Sequence, residues 1–375
     1  MKKITGMFVL LLSGILILGC SLPGRSQAGT KEIRADVATL DTLPADERSG
    51  VEFLQKSLQA KNGIIYYLID HGRPTSYSVL ESMGQAMQYA ALLGDNALLD
   101  EYASVTQASF YSDAAGYYPW KIDVSSREGE TASAMIDDLR LAKAYLIAQK
   151  SAPDKYVKEL QSLSEVMLRT DINKEDYPCD FYDSSSRTQA DFVSLFYLDT
   201  AVMADLSGVD ARWSKVHARA VTILQHMPEN EYGFYPQSYG IAEKKYNWGD
   251  TINMVENLYT AIDASEAGKN TALFREFLKR QVKKKKLYNH YQLDGTPVDS
   301  DESTAVYALA ARFLWAQQEK EAGDWCYKRM LDFQIDKKSA ADGGFGDADT
   351  GTVYAFDQLE ALLTMRMVNQ ENGKI

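Results

Sequence analysis

Glu81-Ser82-Met83-Gly84-Gln85-Ala86-Met87-Gln88-Tyr89-Ala90-Ala91-Leu92-Leu93 is small or apolar on nearly every side of the helix that its composition predicts, yet it opens on a carboxylate. A helix with that composition is wrapped by protein all round. Glu302-Ser303-Thr304-Ala305-Val306-Tyr307-Ala308-Leu309-Ala310-Ala311 reads the same way. Six runs of this kind open with an acid, at Glu81, Asp138, Asp191, Asp250, Glu302 and Asp357. Their spacing is about fifty to sixty residues, within the range of helical repeats. A carboxylate is costly at the mouth of an apolar helix, so the recurrence predicts a ring of helices around an acidic pit.

Between these runs lie segments whose apolar residues recur at spacings of three and four with charged residues between them. Examples are Tyr156, Val157, Leu160, Leu163 and Met167, then Trp213, Val216, Ala220, Val221 and Leu224, then Leu273, Phe274, Phe277 and Leu278. They read as surface helices. One buried and one amphipathic helix per unit, six times over, predicts an all-α (α/α)6 barrel of six inner and six outer helices. The inner helices are expected to start near Ser78, Thr131, Thr188, Asp250, Asp301 and Thr352, with Ser or Thr as N-cap at four of these. Loops rich in glycine and aromatic residues, such as Gly116-Tyr117-Tyr118-Pro119-Trp120 and Tyr246-Asn247-Trp248-Gly249, should carry short strands near one mouth. An open solenoid is the competing architecture. Acid-led inner helices and unequal loop lengths favour the closed ring.

Residues 1–19 read as a signal peptide: Lys2 and Lys3 precede an apolar run from Met7 to Leu18 that is too short to span a bilayer. It ends in Ile17-Leu18-Gly19-Cys20, which resembles the lipobox of bacterial lipoproteins and implies lipidation of Cys20. Residues 20–47 have scattered charges, prolines and glycines without apolar periodicity, the composition of a tether. The folded domain is expected over 48–375. With 40 basic against 52 acidic residues, a nucleic-acid partner is excluded, and Lys283 to Lys286 reads as a solvated helix end. Four histidines, and two cysteines beyond Cys20 (Cys179 and Cys326), give no metal spacing, so neither a metal nor a cofactor is expected. Gly343-Gly344-Phe345-Gly346 lacks the lysine of a phosphate loop and reads as a tight turn.

Tyr77-Ser78-Val79-Leu80-Glu81-Ser82-Met83-Gly84-Gln85-Ala86-Met87 resembles the general-acid signature of glycoside hydrolase family eight, in which a Glu opens the first inner helix and a Met follows six positions later. Ser82 and Met83 depart from the family's Gly and Gln. Tyr118-Pro119-Trp120-Lys121-Ile122-Asp123 with Ala134-Met135-Ile136-Asp137-Asp138-Leu139-Arg140-Leu141-Ala142 is similar to the family's tryptophan-lysine strand and paired-acid helix. Gly346-Asp347 through Phe356-Asp357 resembles its last inner helix, and Asn247-Trp248-Gly249-Asp250 stands where its base stands, with Asn253 in place of the usual Arg.

The resemblance implies an inverting glycosidase with Glu81 as acid and Asp250 as base, the latter oriented by Tyr246 or another hydroxyl. Two carboxyls then stand roughly 6.5 to 9.5 Å apart to admit a water. Asp138, or its competitor Asp137, would hold sugar hydroxyls. Trp120, Trp248, Tyr235 and Tyr239 are candidate stacking platforms, since flat rings cover the apolar faces of sugars. Asp191, Glu302 and Asp357 read instead as acids that complement helix dipoles. The function expected is an endo-acting enzyme cutting a bacterial exopolysaccharide, monomeric and lipid-anchored on the extracellular face of the cell membrane. Another (α/α)6 enzyme, a uronyl hydrolase or lyase, and a non-catalytic glycan-binding lipoprotein are the alternatives.

Overall fold

The computed structural model describes residues 40–336 and 339–372, which belong to one compact unit. The signal segment, Cys20 and most of the expected tether lie outside the described residues. The inner layer comprises α2 (Leu80–Leu93), α4 (Met135–Gln149), α6 (Thr200–Leu206), α8 (Met254–Glu266), α10 (Thr304–Ala316) and α12 (Ala355–Asn372). The outer layer comprises α1 (Ala45–Phe53), α3 (Asn96–Phe110), α5 (Val157–Thr170), α7 (Trp213–His226), α9 (Ala272–Lys284) and α11 (Lys320–Leu331). Each inner helix packs on the next, and α12 returns to α2. Gln85 on α2 donates to Glu360 on α12 across that seam at 2.7 Å, so the ring is closed and the solenoid is excluded.

Patterning explains the layers. In α10, Ala305 through Ala311 are all essentially solvent-free, as an apolar helix demands. In α5, Leu160, Leu163 and Met167 are buried while Lys158 and Glu159 are exposed, the single apolar stripe of an outer helix. α2 ends where Gly94 takes a left-handed conformation, φ +73°, that a Cβ would oppose.

Most inner helices begin two to four residues later than expected, at Leu80, Met135, Met254, Thr304 and Ala355. The residues just before three of them are drawn into strands: β3 (Tyr77–Val79), β10 (Ile252–Asn253) and β12 (Val353–Tyr354). The third differs more, since Thr188 lies in β6 (Thr188–Gln189) and the inner element is a 3-10 turn, Leu195–Tyr197, before short α6. Ser and Thr at the expected starts do not cap. The side chains that do are Asp199, Asn253 and Ser303. Asn253 accepts from the amides of Val255 and Glu256, which gives this departure from the family pattern a structural role.

The strands gird one end of the barrel by joining loops that precede different inner helices. β3 pairs with β4 (Lys121–Asp123), β12 with β1 (Leu68–Asp70), β10 with β11 (His290–Tyr291), and β7 (Phe192–Ser194) with β8 (Ser238–Gly240). β9 (Lys245–Asn247) extends the last of these, and β2 (Arg73–Pro74) extends β1.

The folded unit begins earlier than residue 48. Leu43 and Glu47 are buried, and Glu47 accepts from Tyr89 at 2.8 Å and Asn369 at 2.6 Å. Cys179 and Cys326 are both free and buried, and burial pushes each thiol up to about 12. Among the described residues no helix is long and apolar enough to cross a membrane.

Candidate active site

Glu81 sits in the first turn of α2, at the girded end, with a quarter of its side chain exposed. Leu80 and Met83 turn into the core, as helix geometry requires of their positions, so they do not surround the carboxyl. What meets it is Arg140 of α4, whose Nη1 lies 3.0 Å from Glu81 Oε1 and 2.9 Å from Asp137 Oδ1. α2 and α4 come this close because residue 84 is glycine: a Cβ there would stand 2.8 Å from that of Arg140. Burial raises Asp137 to about 7 against the pull of Arg140, with the Glu81 charge adding to the rise.

Further acids face the same region. Asp180 accepts from the Ser194 amide at 2.5 Å and hydroxyl at 2.6 Å, and burial still pushes it up to about 7. Glu256, in the first turn of α8, is raised to about 7 by burial, opposed by Gln237 and reinforced by the charge of Asp180. Tyr197 feels the charges of Asp180, Asp137, Arg140 and Glu81, and burial raises its hydroxyl well above the usual range. Glu81, Asp137, Asp180 and Glu256 form an acidic group at this end, a different set from the six acids on which the pit was expected.

An aromatic wall borders Glu81. Tyr67 stacks on Tyr77 at 5.1 Å between centroids and meets Tyr354 edge-on at 5.7 Å. Burial pushes Tyr67 up to about 12, helped by Tyr77, Tyr354, Glu81 and Asp357. Lys121 bridges this wall to Trp120, lying 4.7 Å over the Tyr77 ring and 5.5 Å over the Trp120 ring.

Several candidates occupy other positions. Asp138 is fully buried and faces Asp171; neither of its oxygens finds a conventional donor, so the two carboxyls share a proton, and burial raises Asp138 well above the carboxylate range. It is closed off from a sugar, which leaves Asp137 as the acid of the pair beside Glu81. Tyr235 is 1% exposed and packs on Phe274, while Tyr239 is 9% exposed between Tyr177 and Tyr246. Both rings have their faces covered by protein and are core residues. Tyr246 donates to the Ile223 carbonyl at 2.7 Å, so it does not orient Asp250.

Asp250 itself lies exposed in the turn between β9 and β10, four residues ahead of α8. Its neighbours Gly249 and Thr251 line a small cleft with Phe196, Gln237, Asn253 and Glu256. Trp248, next in sequence to Gly249, is 38% exposed. Asp357 accepts from the Ala305 amide at 2.7 Å and caps α10 from the neighbouring helix, while Glu302 is held by Lys286, Arg329 and Tyr307. Asp191 is exposed and precedes a strand.

Arg140, Asp180, Tyr197, Glu256 and the Tyr67 wall were not singled out in the sequence. Arg140 carried a signal, since it follows Asp137 by three residues and so shares its helix face. Asp180 carried none, because it meets Ser194 only when the chain between them, residues 182–189, doubles back in a short hairpin.

No protein-family model matches the chain. YdaJ of Bacillus subtilis (strain 168), named as a candidate lipoprotein, is 27% identical over 356 residues, spanning 93% of this chain and 94% of YdaJ. Among solved structures, an α-amylase from Clostridium perfringens superposes with a TM-score of 0.77 at 25% identity, over 86% of this chain and 99% of that one. PssZ from Listeria monocytogenes superposes at 0.68 and 20% identity, over 84% of this chain and 93% of PssZ. The fold is thus an (α/α)6 barrel of the kind that carries glycosidases.

Proposed function

We propose that the chain is a glycoside hydrolase that cuts within a polysaccharide by inversion, with Glu81 as general acid and Asp250 as general base. The observation that carries this reading is Glu81: a partly exposed carboxyl at the mouth of a closed barrel, fixed by Arg140 and bordered by an aromatic wall. Hydrolysis of a glycosidic bond needs a proton for the leaving oxygen on one side of the sugar and a water activated on the other. Glu81 stands on α2, and Asp250 precedes α8, across the ring. Asp137 and Arg140 hold the acid in place, while Trp120, Trp248 and the Tyr67 wall offer stacking surfaces.

The similarity to an α-amylase supports a polysaccharide substrate, and the charge balance and lipobox resemblance support a bacterial exopolysaccharide met outside the cell by a protein anchored through Cys20. A lyase would need a free cation to neutralise a uronate, and Arg140 is already engaged by two carboxylates.

Glu256 supports a second assignment of the base, because it is a buried carboxyl raised to about 7 in the same cleft, near the optimum for base catalysis at neutral pH. Release of reducing ends from starch, mixed-linkage glucan, xylan, chitosan and the cell's own exopolysaccharide distinguishes these readings. Glu81→Gln should abolish release. Asp250→Asn should do so if it is the base, and Glu256→Gln instead if the base is Glu256. Full activity of Glu81→Gln refutes the mechanism, and retained glycan binding without cleavage by the wild type favours the non-catalytic reading.

A further inference from the structure

A roomy cavity lies away from Glu81. It is a chamber of about 690 Å³ at the opposite end of the barrel, walled by the C-terminal turns of the inner helices, including Leu92, Ile147, Glu266, Ala316 and Val368. A polar layer separates it from the mouth. Glu360 there accepts from Gln85 at 2.7 Å and Tyr259 at 2.5 Å and pairs with Arg312, while Arg140 lies 5.7 Å over the Tyr259 ring.

Three carboxylates line one wall of this chamber: Asp199 at the N-cap of α6, and Asp263 and Glu266 in the last turns of α8. One oxygen from each lies within 4.8 Å of the others. Asp199 is engaged, accepting from the Val202 amide at 3.0 Å and from Lys143 at 2.8 Å. Asp263 is different. It is only 5% exposed, it lines the chamber, and among the described residues its carboxylate has neither a hydrogen bond nor an ion pair, only the more distant charges of Lys143 and Arg140. A buried acid left without a donor is costly unless a cation or a proton meets it.

We propose that Asp199, Asp263 and Glu266 bind a hydrated divalent cation of calcium size in this second chamber. The spacing is compatible with that size. Calcium takes oxygens at about 2.3–2.6 Å, so ligands on opposite sides of it stand about 4.6–5.2 Å apart, whereas magnesium at about 2.0–2.1 Å requires a tighter set. Oxygens no more than 4.8 Å from one another lie within about 2.8 Å of a common centre, so a small inward shift brings all three to calcium distance. With all three ionised around the ion, three carboxylates less the ammonium of Lys143 leave two negative charges for it to offset. Calcium needs six to eight ligands, and a chamber of this volume admits the waters that complete the shell.

The ion would tie α6 to α8. α6 is the shortest inner helix and follows a break in the third inner element, between Tyr197 and Thr200, so it is the part of the ring with least backbone continuity. This inference is independent of the catalytic reading, since none of the three acids touches the mouth.

The test uses the full chain stripped of metal with a chelator. Added calcium should raise the thermal midpoint by several degrees. Terbium should give sensitised emission, because Trp315 and Tyr259 line the same chamber. Asp263→Asn and the more exposed Glu266→Gln should each weaken calcium binding at least about tenfold, since even residues behind a metal ligand contribute that much. Lys143→Met should tighten it by removing the competing charge on Asp199, and Glu81→Gln should leave it unchanged. The proposal is overturned if millimolar calcium leaves the wild-type midpoint unmoved, or if both carboxylate variants respond as the wild type does.

Discussion

Replacing Arg140 with methionine removes the cation that pairs with both Glu81 and Asp137 while keeping much of the side-chain volume. The guanidinium is 9% exposed and its contacts are 3.0 and 2.9 Å long, so it is a buried pair member and not a surface charge. Breaking such a pair from one side costs about 3–5 kcal/mol, because a buried carboxylate is left without compensation. The cost should depend on pH, and its sign is fixed by Asp137. That group is raised to about 7 with Arg140 in place, above an unfolded value near 4. A raised acid contributes most below its unfolded pKa, and the contribution is lost as pH rises through the folded value. Without the guanidinium the folded value rises further, so the deficit of the variant should be larger at pH 8 than at pH 5. Urea unfolding at the two pH values measures this. Asp137→Asn in the same background should recover most of the loss. A single variant within about 1 kcal/mol of the wild type at pH 8 would show that Arg140 is not the clamp, and absence of rescue would show that Asp137 is not what it clamps.

Asp137, Asp171, Asp180 and Glu256 are all raised to about 7, and Asp357 to about 6, chiefly by burial. The wild type should therefore be more stable near pH 5 than near pH 8, losing up to roughly 1.4 kcal/mol per pH unit for each such group still protonated; a thermal midpoint that is flat or rises over this range contradicts the burial of these acids. Asp138→Asn should leave the fold within about 1 kcal/mol of the wild type, because an amide can donate to Asp171 as the shared proton does, whereas Asp138→Leu should cost several times more; equal costs in denaturant would rule out the shared proton. Trp248→Ala should raise KM with little change in thermal midpoint, given its exposure beside Gly249, and a large loss of stability would assign it to packing.

The ring of six pairs was legible because burial on all sides and burial on one side leave different periodicities, as in Ala305–Ala311 against Leu160, Leu163 and Met167. Helix starts were less legible. Val79, Ile252 and Val353 are β-branched or strand-compatible and pair with strands distant in sequence, which no local pattern records. The same limit explains the aromatic residues. Tyr235 and Tyr239 occupy loop sequence indistinguishable from that of Trp248, but Phe274 and Tyr177 cover them from elsewhere in the chain. The place of Glu81 in the first turn of an inner helix was readable because its neighbours in the helix are local, and the Tyr67 wall was not, because Tyr67, Tyr77 and Tyr354 meet only when β1, β3 and β12 assemble.

An acidic mouth built from many carboxylates would destabilise itself if every one were charged, since like charges in a desolvated space repel strongly. The barrel resolves this by giving its acids different states. Asp138 and Asp171 share a proton, Asp357 is committed to an amide of α10, and Glu302 is neutralised by Lys286 and Arg329. Glu81 and Asp250 are exposed enough to meet a polymer arriving from solvent, and they stand on different inner-helix units. That division explains why acids recurring at similar sequence intervals need not share a role. It also implies that taking away the partner of a silent member should harm the fold before it alters catalysis: Ala305→Pro, which deletes the amide that donates to Asp357, should lower the thermal midpoint while leaving the KM of the remaining folded enzyme unchanged. A shift in KM without a loss of midpoint would place Asp357 among the acids that meet substrate.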